Sequence, residues 1–267
     1  MSTAADADLI NQAGTDPVPS MSVPLSTEVQ LLRGIGETLE DGKEVWHDTA
    51  YIRELNGGDE EALAALESKK GLTYTEYMNA LLERSVSSIG DLNVATTPAV
   101  LNKLVLADRD MLFLGIVRAT YGSERELRAR CQACGEWNDI VIDLNDDFPI
   151  KQPDFDIRKP IEVPLSKGRS VYLRLPNGFD SIEAQKDAKT DAQLNTNMLA
   201  RCAVFPDGEP EDRLEWARNL NVADRKKMVL ALLDIEIGPS LEAVETQCDS
   251  CGADLPISLD WVSLLLS

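Results

Sequence analysis

The sequence predicts an α+β protein, mostly helical, built around a split zinc ribbon: two C-x-x-C-G β-hairpin knuckles with an inserted β-hairpin and helices between them. Three observations carry this prediction. Four of the five cysteines fall in two identical frames, "CQACG" at 131–135 and "CDSCG" at 248–252. Segments rich in strand formers flank those frames. Elsewhere, apolar residues recur at helical spacing behind capping signals.

Composition bounds the answer. With 267 residues, 43% of them hydrophobic, the chain can bury one large core or two modest ones. The longest apolar run, 99–119, is interrupted by Asp108, Arg109 and Asp110, so no membrane span is expected. The N-terminal "MSTAADADLI" has no basic start followed by an apolar stretch, and a reducing cytosol is the expected compartment. There, paired cysteines read as metal ligands before disulfides. A formal net charge of -20 disfavours nucleic-acid binding, because affinity for phosphates comes largely from Lys and Arg.

Residues 1–28 contain three prolines, four acids and no base; too little apolar surface offsets their ordering entropy, and an arm, disordered or laid on a partner, is expected. Residues 29–124 read as a mainly helical region. Its start is mixed, with "EVWHDTAYIREL" suggesting a strand or two. In "GGDEEALAALESKKG" Asp59 is the expected N-cap and Gly71 the stop. Thr73 and Glu76 form a capping box for a helix whose apolar face runs from Tyr74 through Tyr77, Met78, Leu81 and Leu82 to Ile89. A third helix is expected from Pro98 to Tyr121, closed by Gly122.

The period then changes. "ELRAR" and "WNDIVIDL" place the first cysteine pair in a hairpin turn, and "AVETQ" and "ADLPISLDW" do so for the second. Residues 125–144 and 241–262 are therefore the two halves of the ribbon. Between them, the insertion 145–240 carries two strands in "IEVPLSKGRSVYLRLPNG", joined at Lys167 and Gly168. One helix follows from near Asp180, and another from Asp212 to Ile235, interrupted at Asn221 and ended by Gly238 and Pro239. Beyond the cysteine frame no internal repeat is evident.

Cys131, Cys134, Cys248 and Cys251 are the candidate metal ligands. Zinc takes four tetrahedral ligands with thiolates at about 2.3 Å, and two C-x-x-C turns supply four sulfurs. Glycine after each pair takes the positive φ that lets the backbone pass behind the metal. Four thiolates leave no position for water, so the expected role is structural. Redox chemistry needs one pair at a helix start, whereas both pairs sit between strand-like segments. A zinc deaminase needs an H-x-E frame, which is absent. His47 and Cys202 read as packing residues. "GIGETL" lacks the third glycine of a dinucleotide fingerprint, and "DLNDDF" puts Phe148 where a calcium loop turns on glycine. No catalytic constellation emerges, which argues against an enzyme.

The ordered set "YIRELNGGDEEAL", "DRDMLFLGIVRATYG", "CQACGEW", "VYLRLPNGFD", "LLDIE" and "CDSCGADLPISLDW" resembles the T-even-type phage baseplate hub-assembly proteins and related tail proteins, over about residues 50–262. The family's two cysteine knuckles carry over to Cys131, Cys134, Cys248 and Cys251. Its usual proline inside each knuckle is replaced by Gln132 and Asp249, which removes no ligand, and the N-terminal arm lies outside the pattern. The resemblance implies a non-enzymatic assembly or structural component of a phage tail, or of a related contractile injection machine, folded around structural Zn2+, with baseplate or hub subunits as partners; it acts in the host cytoplasm during assembly as a transient chaperone or stays in the virion tail as a permanent part, and the sequence is compatible with both. The competing reading is a cellular zinc-ribbon module for nucleic acid or transcription. It rests on Arg125, Arg128 and Arg130 beside the first knuckle, and is opposed by Glu242, Glu245, Asp249 and Asp254 around the second.

Overall fold

In the computed structural model, which describes residues 26–240 and 244–257, the chain opens on an antiparallel sheet. Strands β1 (Thr27–Thr38), β2 (Glu44–Ile52), β3 (Val86–Ile89) and β4 (Leu92–Asn93) pair in that order. Residues 1–25 of the expected arm lie outside the described residues; Thr27 and Glu28 already belong to β1. The region expected to be mainly helical thus carries a four-stranded sheet. The β-branched and aromatic residues of 44–52 outweigh helical propensity because their inward side chains, Ala50 and Ile52, are wholly buried.

Helices α1 (Gly57–Glu67) and α2 (Tyr74–Ser85) connect β2 to β3. The N-cap of α1 is Asn56, not Asp59: Asp59 sits at N3, and its carboxylate reaches back to the Asn56 N–H. The Thr73–Glu76 capping box forms as expected. Helix α2 ends at Ser85, short of Ile89, since Val86 and Ile89 bury in β3. The stretch from Pro98 also divides. A 3-10 turn (Pro98–Lys103) is followed by extended Leu104 and Val105, the latter bridged to Asn177, before α3 (Leu106–Tyr121) begins. Gly122 closes α3 at φ 88.

Strands β5 (Glu124–Arg130) and β6 (Trp137–Asp143) form the first cysteine hairpin. β7 (Ile150–Lys151) pairs with β11 (Gly238–Pro239). Between them, β8 (Ile161–Pro164) and β9 (Ser170–Leu173) turn at Lys167 and Gly168, both at positive φ. Helices α4 (Gly178–Lys186) and α5 (Asp191–Cys202) follow, and β10 (Ala203–Val204) returns beside β9. α5 adds a helix that the sequence reading did not separate. Helices α6 (Arg213–Arg218) and α7 (Val222–Leu233) are divided as expected, with Asn221 capping the second. β12 (Val244–Gln247) and β13 (Asp254–Ile257) form the second cysteine hairpin. One core joins the first sheet, α2, α3 and both cysteine turns; a second joins β8 to β10 with α5 to α7.

These elements reveal a repeat that the sequence alone hid. β1-β2-α1-α2-β3 and β8-β9-α4-α5-β10 share element order and sheet order. In register, "TEVQLLRG" (27–34) matches "IEVPLSKG" (161–168), and "RELNGGD" (53–59) matches "RLPNGFD" (174–180). The bonding matches as well. Arg53 holds Asp59 through two bonds of 2.6 and 3.1 Å, and Arg174 holds Asp180 through two of 2.5 and 2.9 Å. Arg53 N–H donates to Ser85 O and Arg174 N–H to Cys202 O, each at 2.9 Å. Each unit then continues into a helix bearing "ADR", at 107–109 and 223–225. Asp108, fully buried, accepts N–H bonds from Leu32, Arg33 and Gly34; its counterpart Asp224 accepts from Ser166, and the Leu32 and Ser166 bonds are both 2.7 Å. Each unit ends in a C-x-x-C-G hairpin.

Candidate metal centre

Both cysteine turns are built the same way. The first cysteine's N–H donates across the turn, from Cys131 to Glu136 O at 2.8 Å and from Cys248 to Ala253 O at 2.9 Å. The glycine's N–H returns to the first cysteine's carbonyl, from Gly135 at 2.9 Å and from Gly252 at 2.8 Å. Gly135 and Gly252 have φ of 81 and 70, the left-handed region where a side chain is strained. Strand pairing outside the turns has equal register, Arg130 opposite Trp137 and Gln247 opposite Asp254.

The two turns face each other. All four sulfurs lie within 4.8 Å of one another, with Cys131 Sγ 3.8 Å from Cys251 Sγ and Cys134 Sγ 3.6 Å from Cys248 Sγ. A disulfide needs about 2.05 Å, so these are not bonded pairs. A tetrahedron with zinc–sulfur bonds of about 2.3 Å has edges of about 3.8 Å, and the cluster is compatible with those dimensions. The four cysteines could therefore hold one metal ion, with every sulfur contributed in the expected pairs.

Local electrostatics favour ionised sulfur at Cys131 and Cys248 and oppose it at Cys134 and Cys251. Cys131 Sγ accepts the N–H groups of Cys134 and Ala133, which lower its pKa. At Cys248, burial pushes the pKa up, but the N–H groups of Cys251 and Ser250 and the Asn138 amide outweigh it and bring it to about 6. Cys134 and Cys251 receive lowering bonds from the N–H groups of Glu136 and Ala253, yet contact with neighbouring thiols raises both, Cys134 to about 12. Four thiolates this close repel one another, so full ionisation of the set requires a cation at its centre.

Asn138 is the residue that sequence reasoning missed. It is 4% exposed; its side-chain oxygen accepts the Asp249 N–H at 2.9 Å, its amide donates to Glu136 O, and its polarity helps lower the Cys248 pKa. The signal was present: in β6 the inward positions are Asn138, Ile140 and Ile142, and a polar residue on the buried face of an alternating strand needs a partner.

Other singled-out residues fall elsewhere. His47 lies in β2, its Nε2 3.4 Å from Glu37. Cys202 is fully buried at the end of α5, and burial pushes its thiol to about 12. Phe148 is buried in the first core, and the Asp147 carboxylate accepts the Asp143 N–H, making "DLNDDF" a self-bonded turn. The three arginines before the first knuckle are engaged within the fold: Arg125 stacks on Tyr121, Arg128 pairs with Asp139 and stacks on Trp137, and Arg130 donates to Gly135 O. Among the described residues, no helix is long and apolar enough to cross a membrane.

The family described as T4 bacteriophage base plate protein matches residues 37–260, a span that runs from the end of β1 through β13 and takes in all four clustered cysteines. No curated protein and no solved structure matches the chain. By the extent of that match, the chain belongs to the T4 bacteriophage base plate protein family.

Proposed function

We propose that this chain is a non-enzymatic structural or assembly component of a contractile-tail baseplate or hub, folded around one structural zinc ion held by Cys131, Cys134, Cys248 and Cys251. The observation that carries the reading is a closed set of four clustered sulfurs in a chain matched along most of its length by a baseplate family. Four protein thiolates complete a tetrahedral shell and leave no open position for a reacting water. Zinc would supply cross-linking energy to the two hairpins, and the chain's own N–H groups and Asn138 orient the sulfurs for it. On this reading 125–144 and 241–262 are the halves of a zinc ribbon that closes the ends of the 145–240 insertion. The surfaces around it meet other baseplate or hub subunits, in the host cytoplasm during assembly and in the finished tail.

The competing nucleic-acid reading is weakened, since Arg125 is buried against Tyr121, Arg130 donates to Gly135 O, and exposed Arg128 has Asp139 as its neighbour. The test is quantitative mass spectrometry of purified phage tails beside extracts from infected cells. A fixed copy number of the chain in tails, with tail assembly blocked when Cys248 is replaced by serine, is the expected result. Absence from both tails and assembly intermediates would overturn the proposal.

A further inference from the structure

The bonding of the first cysteine hairpin fixes which of its backbone groups face outward. Cys131 N–H donates to Glu136 O, and Leu144 N–H to Ser123 O. The bonded pairs between them are therefore Ala129 with Asn138, Leu127 with Ile140 and Arg125 with Ile142. The N–H and C=O groups of the alternate residues Trp137, Asp139 and Val141 point away from β5. Among the described residues β6 has no second strand partner, and no further backbone bond reaches these three. Their side chains share the outer face of the strand, where Trp137 is 57% and Val141 61% exposed.

Open strand edges invite pairing, and natural sheets blunt them with charges or proline. Both devices appear elsewhere in the two hairpins. The outward positions of β5 are Glu124, Glu126, Arg128 and Arg130, all charged. In the second hairpin, Asp254 and Pro256 hold the positions of Trp137 and Asp139, so the matching edge of β13 opens on a charge and then lacks a donor. On β6 the one charge between Trp137 and Val141 is Asp139, whose pair with Arg128 is exposed on both sides and of small worth. A row of N–H and C=O groups at strand spacing is matched by the main chain of an extended segment. A second copy of this chain fits poorly. Two chains of net charge -20 repel each other, and a twofold pairing that sets Trp137 against Val141 also sets Asp139 opposite its own copy.

We propose that β6 accepts an extended segment of a different baseplate or hub subunit as an added strand, bonded to Trp137, Asp139 and Val141. That segment carries a lysine or arginine opposite Asp139, between apolar residues at alternate positions that pack on Trp137 and Val141. The inference rests on the tail-component reading above and specifies the surface by which the chain is held.

The test replaces Trp137 with the photo-crosslinking amino acid benzoylphenylalanine in the full chain, incorporated during infection. Products in purified tails and assembly intermediates are mapped by mass spectrometry. Cross-links to one segment of a different subunit, with a lysine or arginine between alternate apolar residues, are expected. Asp139→Pro removes one outward N–H, as Pro256 does in the second hairpin, and should lower the cross-linked fraction at least about tenfold at unchanged melting temperature. Val141→Lys, at an exposed position, should do the same. A cross-linked fraction that neither variant lowers overturns the proposal, as do cross-links only to a second copy or only within the chain. A chain present in tails or intermediates without the expected cross-link overturns this inference alone, whereas its absence from both overturns the tail-component reading as well.

Discussion

The side-chain oxygen of Asn138 accepts the backbone N–H of Asp249 at 2.9 Å, a bond that crosses from one cysteine hairpin to the other. The same amide helps lower the Cys248 pKa, so one buried side chain ties the two hairpins together and favours the thiolate of a candidate ligand. Replacing Asn138 with alanine leaves the Asp249 N–H without this partner, at a cost of about 1–3 kcal/mol. Outer partners of ligands also tune metal sites, and Asn138→Ala should weaken zinc affinity about 10–100-fold. Competition with a chromophoric chelator measures the second effect and urea denaturation the first.

The bulge in β1 depends on one carboxylate. Pairing slips between Gln30 and Ile35, and Asp108 receives the N–H groups of Leu32, Arg33 and Gly34 freed by the slip. Burial raises the Asp108 pKa while those bonds pull it down. Asp108→Ala should destabilise the chain by at least about 3 kcal/mol, because three backbone N–H groups lose their acceptor at about 1–3 kcal/mol each where they stay buried. Equilibrium denaturation followed by fluorescence checks it.

Gly34 has φ 71, and a Cβ there would stand 2.2 Å from His47 O. Strain and clash act together, so Gly34→Ala should cost more than about 2 kcal/mol. At Gly252, φ is 70 and the space is open; Gly252→Ala should cost only the strain, about 1–2 kcal/mol. Melting temperatures of the two variants should rank in that order.

Asp180 is 1% exposed. Its burial favours the neutral form, but Arg174, the Asn177 N–H and Arg201 outweigh burial and hold its pKa below the usual carboxylate value. A depressed folded pKa contributes stability above the unfolded value of about 3.9 and loses it as pH falls through the folded value. Asp180→Asn should therefore cost about 3–5 kcal/mol near neutral pH. The gap between variant and parent should narrow below about pH 4, as denaturation curves across pH would show.

Local chemistry was legible in the sequence, and long-range relations were not. The Thr73–Glu76 box, the stop at Gly122, the turn at Lys167 and Gly168, the break at Asn221 and both cysteine hairpins follow from short-range rules of capping and turn geometry. Asp59 was misplaced because Asn56 and Asp59 are both good capping residues, and only the Arg53 pair decides between them. The Pro98 helix was extended too far because nothing local announces that Val105 bridges to Asn177. The repeat stayed hidden because its matched blocks are short and the spacers between them differ in length. Its most telling match, Asp108 on β1 and Asp224 beside Ser166, is a contact between distant segments. The four clustered cysteines were readable from spacing, whereas Asn138 became visible only once both hairpins were brought together.

The most direct measurement is the metal content of the full chain, purified without chelators, together with that of Cys131→Ser and Cys251→Ser, one from each hairpin. About one zinc per chain, with sulfur-only coordination near 2.3 Å by X-ray absorption and loss of the metal in either variant, is the predicted result. A metal-free chain that folds with unchanged stability, or a disulfide within either cysteine pair, would contradict the account.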